Sequence, residues 1–274
     1  MRAILVLFIF LCGIGVSAQS VTFVKKPRPA GLEVAQVDSL RMTMNISAQG
    51  QEEFAMTVVN RELRRFTIHT LTADNASPRR FRVEIQEAVE SSTAPGQGRK
   101  VSPINGQTYV VEITGDAVTA LRASGDSLTP IERTALLRLI NVKSDHSMQD
   151  VLNGRTMSVG DSIVLDGEAL AGFAGLMGNS DLTVSAATVT LRDVTKVDGM
   201  RCAVLHMRIQ LGGARSQVDM DMMLEGDAVV TEDGMWPLSF VFGGDVDGVT
   251  TQMGMELLID GTIQAARSAR YSRP

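Results

Sequence analysis

The residue types that could do chemistry are few in this sequence and lie far apart. The histidines His69, His146 and His206 have no carboxylate or second histidine at the spacing of a catalytic or metal site. No Gly-x-Ser-x-Gly motif presents a serine nucleophile. Cys202 lies four strand residues from His206, or about 13 Å, which is beyond hydrogen-bond reach. We therefore predict a non-enzymatic protein with no catalytic residue, no metal site and no cofactor, in which Cys202 packs in the core and His206 faces solvent.

Two aspartate pairs are further candidates for chemistry. Asp219 and Asp221 share one strand face, and paired carboxylates can divide acid and base roles, which leaves a carboxylate-based hydrolase as an alternative. The opposite strand face is apolar, so we expect this pair to face water. Asp245 and Asp247 have the start of a calcium-loop pattern but lack its later oxygen ligands. Asp247-Gly248 is instead typical of a type I′ hairpin turn, which is the interpretation we prefer.

Methionine is unusually frequent, with 15 residues against two tyrosines and one tryptophan. Three pairs each place two thioethers on one strand face: Met42 and Met44, Met220 and Met222, Met253 and Met255. Methionine fills irregular space in cores and adapts to apolar ligands. Thioethers also bind Cu(I). Core packing is the preferred interpretation, and a pocket for an apolar ligand and a Met-rich copper site remain as alternatives.

Residues 1–18 have the pattern of a signal peptide. Arg2 precedes an apolar run over 3–16, which is too short for a stable membrane-spanning helix. Ala18 is a small residue at a signal-peptidase site, so we predict cleavage before Gln19, with an uncleaved anchor as the alternative. No later apolar run reaches the length of about 20 residues that a membrane helix needs. We predict a periplasmic or extracellular protein with no transmembrane segment after cleavage.

The mature chain divides into a leader and one domain. Residues 19–30 are predicted to be an extended leader, because Pro27 and Pro29 exclude a strand or helix interior. From 31 to 274, repeated period-two alternation of apolar and polar residues predicts a single β-rich domain.

Glycine-containing pairs and changes of phase divide this domain into strands. The pairs are interpreted as turns: Gly115-Asp116, Asp198-Gly199, Gly212-Gly213 and Asp247-Gly248. Leu182, Val184 and Ala186 alternate in one phase, and Val189 and Leu191 follow in the other, which predicts a β-bulge or a bend.

One helix start is well marked. Thr129-Pro130-Ile131-Glu132 combines an N-cap hydroxyl, a proline at the first helical position and a glutamate three residues later, which is the pattern of a capping box. We predict a helix from Thr129, and its apolar face consists of Ile131, Ala135, Leu136, Leu139 and Ile140. Shorter helices are predicted at 147–153 and 168–177.

A four-residue internal repeat makes a duplicated domain one alternative. Residues 115–118 and 226–229 both read Gly-Asp-Ala-Val, and each is interpreted as a turn that opens a return strand. Two pseudo-repeated halves would then be joined around 129–178. The alternative is one undivided domain over 31–274.

The sequence also resembles known exported proteins in its layout. Val159-Gly160-Asp161-Ser162, followed by an apolar strand, is similar to a turn found in uncharacterised families of secreted, β-rich bacterial proteins. A signal peptide, long alternating strands and a few central helices resemble the half-barrel carriers typified by the lipoprotein carrier LolA. The resemblance implies an open half-barrel and a carrier function. It covers layout rather than a motif, so no functional residue is transferred.

These patterns together predict a mainly antiparallel β fold, a curved sheet or open half-barrel with one to three short helices. The predicted function is the binding of an apolar ligand, or of an envelope protein partner, in the concave face. The formal net charge of −5 argues against nucleic acid as a partner.

Overall fold

The computed structural model describes most of the chain that follows the predicted signal peptide. The described residues are 19–48, 51–72, 79–115, 117–140, 148–165, 183–215, 218–252 and 255–273. The predicted signal peptide and the predicted helix at 168–177 lie outside them.

Long strands dominate the described residues. Eight strands have 14 to 20 residues: β3 (Glu33–Ala48), β4 (Gln51–Thr70), β5 (Arg79–Ser92), β11 (Thr183–Val197), β12 (Met200–Arg215), β13 (Val218–Thr231), β15 (Pro237–Gln252) and β16 (Met255–Ser272). Eight shorter strands are β1 (Ser20–Thr22), β2 (Val24–Lys25), β6 (Arg99–Val101), β7 (Thr108–Thr114), β8 (Ala117–Arg122), β9 (Thr156–Ser158), β10 (Ser162–Leu165) and β14 (Asp233–Gly234). The two helices are α1 (Pro130–Ile140) and α2 (Met148–Leu152).

Twelve of these strands form one antiparallel sheet. Its order is β10-β11-β12-β13-β15-β16-β3-β4-β5-β7-β8, with β6 paired to β5. The pairing of β16 with β3 brings the C-terminal strand beside the N-terminal half of the chain. Within the described residues the sheet ends at β10 and β8, so it is curved and open. The predicted fold class is confirmed.

The two faces of the sheet differ in what covers them. Side chains alternate along each strand, so that Met222 and Phe66 lie on one face, the inner face, and Asp221 and Arg61 lie on the other, the outer face. A larger core lies on the inner face of β11, β12, β13 and β15, where the leader and α2 cover it. A smaller core lies between α1 and the inner face of β4, β5 and β7.

Three inner-face glycines let neighbouring strands approach closely. A Cβ on Gly244 would lie 1.8 Å from the carbonyl oxygen of Met223, and one on Gly261 would lie 2.1 Å from that of Thr43. Gly226 makes a similar approach to β15. The three positions form a diagonal line, because each is displaced by two residues from the next in the strand pairing. The absence of side chains along this line lets the sheet bend.

Several predicted turns are wrong. Gly212-Gly213, Gly226-Asp227 and Asp247-Gly248 lie inside β12, β13 and β15. Asp247 pairs with Asp221 on one side and with Asp260 on the other, so the strand continues through this dipeptide. Because Gly226 serves a close approach rather than a turn, the Gly-Asp-Ala-Val repeat gives no support to a duplication.

Other local predictions are confirmed. Asp198 and Gly199 have φ values of 48° and 80° and join β11 to β12. The register of these two strands shifts between Val184 and Ala186, so a bulge is present but lies just before the predicted change of phase. The turn before β10 is closed by the backbone N–H of Ser158, which donates to the Asp161 carboxylate at 2.7 Å.

The predicted capping box begins α1. The Thr129 N–H donates to Glu132 Oε2 at 2.9 Å, and the Glu132 N–H donates to Thr129 Oγ1 at 3.3 Å. Leu136 is fully buried in the smaller core. Ile131, predicted on the same face, is 71% exposed. Glu132 lies against the sheet instead of Ile131, because Arg122 on β8 binds the Glu132 carboxylate at 2.6 Å.

The leader is built into the fold. It forms β1, which pairs with β9, and β2, which pairs with β14. Val21 and Phe23 are fully buried in the larger core. The expectation that the leader forms no strand is therefore wrong, because Pro27 and Pro29 follow these strands rather than interrupt them. The short helix predicted at 147–153 is confirmed by α2.

Candidate functional site

A cavity of about 700 Å³, which we call the outer groove, lies on the outer face at the middle of the sheet. It crosses β5, β4, β3, β16 and β15 and so extends over about 19 Å. In each strand it is lined by three consecutive residues, and the first and third of these point outward. Two rows of side chains therefore form its walls, and the backbone between them forms its floor. Phe242 belongs to this floor and turns its ring into the larger core.

One wall, the arginine row, is cationic. Its members lie opposite one another in neighbouring strands: Arg99, Ser91, Arg61, Arg41, Gln264 and Gly243. Arg41 and Arg61 face each other directly, which is an unfavourable arrangement for like charges. All three arginines are exposed, and none forms an ion pair with a described residue.

The other wall, the valine row, is mostly apolar. Its members are Val89, Leu63, Ser39, Ala266 and Val241. Val241 is 62% exposed, although its strand neighbours Phe240 and Phe242 pack on the inner face. The outer groove therefore combines an apolar wall with a cationic one, and the positive charge is confined to the end at β3, β4 and β6.

A second cavity, the inner cleft, lies on the opposite side of the same strands. It has a volume of about 300 Å³ and is lined by Asn60, Glu62, Glu90, Ser92 and Lys100 among others. Glu62 and Glu90 lie directly opposite each other in β4 and β5. Arg64 forms an ion pair with Glu62. Sequence reasoning missed this carboxylate pair, because 28 positions of chain separate its members.

Charged groups elsewhere on the inner face are paired. Arg267 donates to both carboxylate oxygens of Asp38, at 2.7 and 2.8 Å, and its guanidinium lies 5.1 Å from the ring centroid of Phe240. Gln36 Nε2 donates to the same carboxylate at 2.9 Å. These contacts pair the charges of Arg267 and Asp38, which lie on the inner face between the two cores.

The buried carboxylate of Glu132 is the centre of a polar network in the smaller core. Hydrogen bonds from the Thr129 backbone and then from Arg122 lower the pKa of Glu132 to about 2. Burial, followed by the negative charge of Glu132, raises the pKa of Tyr109 to about 12. The Tyr109 hydroxyl donates to Glu132 at 3.4 Å. This network fixes α1 on the sheet and opens onto neither wall of the outer groove.

Cross-strand pairing gives two histidines partners that the sequence spacing did not predict. His206 Nδ1 lies 2.9 Å from Asp227 Oδ1, and its Nε2 lies 3.1 Å from Glu225 Oε1. His69 lies between two glutamates of β3 and β5 at 3.3 and 3.4 Å. His206 lies on the outer face as predicted and is partly exposed, but it has carboxylate partners that the sequence did not reveal. His146 lies outside the described residues. Among the described residues, no three His, Cys, Asp or Glu side chains form a group that could hold a metal ion.

The aspartates lie on the outer face beside the outer groove. Asp219 and Asp221 are exposed, which confirms that the pair faces water. Asp221, Asp247 and Asp260 follow one another across β13, β15 and β16 and form an aspartate row. The side-chain amide of Asn45 donates to Asp260 at 2.9 Å.

The methionines and Cys202 serve mainly as packing residues. Met222 is buried in the larger core, and Met42 and Met220 pack against it. Met255, for which core packing is also the preferred interpretation, is 38% exposed. Cys202 is buried, as predicted, and its burial raises the pKa of the thiol. No methionine of the described residues lines the outer groove, and Met253 lies outside them.

Sequence reasoning also missed the outer groove. Its signal is an apolar residue on a face that alternation assigns to solvent, as at Leu63 and Val241. Because the walls come from six strands spread over 39–266, only the strand order brings them together. No helix of the described chain is both long and apolar enough to cross a bilayer.

Comparisons with known proteins give no family. No protein-family model matches the chain, and no curated protein matches it. An outer membrane channel from Pseudomonas putida F1 is 10% identical, with 89% of this chain and 97% of that chain covered and a TM-score of 0.24. A mutant porin of Rh. blastica is 9% identical, with 86% and 100% covered and a TM-score of 0.26. DynF from the dynemicin biosynthesis pathway of Micromonospora chersina is 8% identical, with 91% and 85% covered and a TM-score of 0.21. Scores of this size carry no argument about this chain.

Proposed function

We propose that this protein is an exported, non-enzymatic binding protein that holds an apolar ligand in the outer groove. The observation that carries the proposal is the valine row, a mostly apolar row of side chains from five neighbouring strands that forms one wall of a cavity on the outer face. The groove volume of about 700 Å³ falls within the range of small-molecule sites, about 300 to 1,000 Å³. The pattern of residues 1–18 supports export, and the resemblance to half-barrel carriers agrees with the binding of an apolar molecule.

The proposed site differs from the concave, Met-rich face that the sequence suggested. Met222 is enclosed in the larger core, so a ligand cannot reach it on the inner face of β13. Val241 and Leu63 are instead available to a ligand on the outer face.

Two matched variants on β15 test the proposal. Val241 and Val249 are both exposed, at 62% and 41%, and both lie on the outer face, but only Val241 lines the outer groove. We expect Val241→Gln to weaken binding of the neutral probe N-phenylnaphthylamine about fivefold, because apolar burial is lost. Val249→Gln should leave the affinity unchanged. Failure of the unmodified protein to bind the probe, or equal effects of the two variants, would contradict the proposal.

A carboxylate-based hydrolase is the second candidate, and the opposition of Glu62 and Glu90 in the inner cleft favours it. Paired carboxylates can divide acid and base roles. Glu90→Gln removes one of them at an exposed position, so the fold should tolerate the change. Hydrolysis of a panel of glycosides and esters by the unmodified protein, lost in Glu90→Gln, would replace the binding function by this one.

A further inference from the structure

Binding of an apolar ligand gives no role to three cationic side chains of the outer groove, those of Arg41, Arg61 and Arg99. Each is exposed at one end of the outer groove, and none has an ion-pair partner among the described residues. The direct opposition of Arg41 and Arg61 is unfavourable for the fold alone. Among the described residues neither wall has a carboxylate, and the acidic residues of the floor, Glu62 and Glu90, turn their side chains to the inner face.

From this arrangement we infer that the ligand is a free, single-chain anionic amphiphile, whose carboxylate or phosphate head binds Arg41, Arg61 and Arg99. The inference rests on the proposed function and names the ligand class of the same groove. Guanidinium groups bind carboxylates and phosphates through paired, charge-assisted hydrogen bonds, so two facing arginines suit such a head. An anion between them also removes their mutual repulsion.

The groove assigns an orientation to this ligand. The arginines lie on β3, β4 and β6, whereas Gln264, Gly243, Ala266 and Val241 line the other end on β16 and β15. These four residues carry no charge, so the head lies at the arginine end and the chain extends towards Val241. From the facing pair Arg41 and Arg61 to β15 the groove extends over about 12 Å, which suits the first part of an acyl chain in an extended form.

The aspartate row strengthens this polarity. It lies on the same face and crosses β15 and β16, four residues beyond Gly243 and Gln264 in each strand. Its negative charges disfavour an anionic head at the β15–β16 end and thereby support the single orientation.

The test compares an acid with an alcohol of the same chain length. Protein purified from an exporting host is delipidated, and tetradecanoate and tetradecanol displace N-phenylnaphthylamine from it at low ionic strength. We expect tetradecanoate to bind about tenfold more tightly than tetradecanol, and this preference to shrink in 1 M salt, which screens exposed charges.

Arginine variants locate the head. Arg61→Gln should lower the affinity for tetradecanoate about tenfold and leave that for tetradecanol within about twofold. Arg270→Gln is the control, because Arg270 is exposed on the outer face of β16 but lies six residues beyond Gln264. Arg61→Gln should also unfold at the same or a higher temperature, since it relieves the repulsion from Arg41. A loss of binding that follows a loss of stability would contradict the inference.

The remaining outcomes separate the two proposals. Equal binding of acid and alcohol, with no effect of Arg61→Gln, would overturn the anionic head and leave the binding function intact. Binding of neither compound would overturn both. Binding to anionic phosphatidylglycerol vesicles without uptake of free tetradecanoate would make the arginine row a membrane-docking surface, which also overturns the inference.

Discussion

The arginines of the inner face and the arginines of the outer groove differ in whether their charges are paired. On the inner face, Arg267 donates two hydrogen bonds to Asp38, and Arg122 binds the buried Glu132. On the outer face, Arg41 and Arg61 face each other without an ion pair to a described residue. Charges that folding buries must be paired, whereas charges that folding leaves opposed and exposed are available to a ligand. The difference separates residues that hold the fold from residues that we assign to binding.

The largest expected effect comes from comparing two substitutions at neighbouring positions of β13, one on each face of the sheet. Met222 is 4% exposed in the larger core, and Asp221 is exposed on the outer face. We expect Met222→Asp to destabilise the fold by about 3 to 5 kcal/mol, because it buries an unpaired carboxylate. Asp221→Asn should change stability by less than about 0.5 kcal/mol. Urea unfolding of both variants measures the difference, and similar losses would mean that the faces are wrongly assigned.

A second contrast uses two adjacent glycines of β15. Gly244 lies on the bend line, where a Cβ would meet the Met223 carbonyl at 1.8 Å, whereas a Cβ on Gly243 would meet its nearest neighbour at 3.7 Å. We expect Gly244→Ala to destabilise by about 1 to 3 kcal/mol, because neighbouring backbone must shift. Gly243→Ala should lie within about 0.5 kcal/mol of the unmodified protein. A tolerated Gly244→Ala in thermal unfolding would show that the bend does not depend on close strand approach.

These glycines also explain which parts of the fold the sequence could predict. Alternation predicted the antiparallel sheet, and the capping box at Thr129 predicted α1, because both signals are local. Gly226 was interpreted as a turn residue because a glycine needed for a turn and one needed for a bend look alike in sequence. Only the pairing of distant strands distinguishes them.

The candidate site was less predictable than the fold. Arg61 and Arg41 are 20 positions apart, and Val241 is 180 positions from Arg61. No local pattern relates such residues, since β16 pairs with β3 rather than with a neighbour in sequence. The same holds for His206, whose partners Glu225 and Asp227 come from the next strand. Residues that act together through strand order cannot be read from spacing along the chain.

A third prediction concerns acid and the paired charges of the inner face. The pKa of Glu132 is about 2 in the folded protein, below the usual value of about 4.3, so ionised Glu132 stabilises the fold above pH 4.5 or so. This contribution is lost as the pH falls from about 4.5 to about 2. We expect Glu132→Gln to unfold at a lower temperature than the unmodified protein at pH 6, and the gap to narrow towards pH 2.5. Thermal melts at several pH values measure it.

The control for this titration is Glu232→Gln. Glu232 pairs with Arg201 at 2.6 Å on a more exposed part of the molecule, so its removal should change the acid dependence less. An unchanged gap between Glu132→Gln and the unmodified protein across the whole range would mean that Glu132 does not contribute through its charge.

The smallest expected effect, and the most direct test of the outer face, is a stabilisation. Asp247 lies between Asp221 and Asp260 in the aspartate row, and like charges in directly opposed strand positions repel. Asp247→Asn should therefore raise stability by about 0.5 kcal/mol at low salt, and the gain should vanish in 1 M salt, where the screening length is about 3 Å. Glu256→Gln, which faces Thr251, is the matched control and should give no gain. A destabilised Asp247→Asn would show that the row is held together by favourable contacts. Direct opposition of like charges on the outer face would then not by itself indicate a site for a ligand, and the assignment of Arg41 and Arg61 would depend on the groove alone.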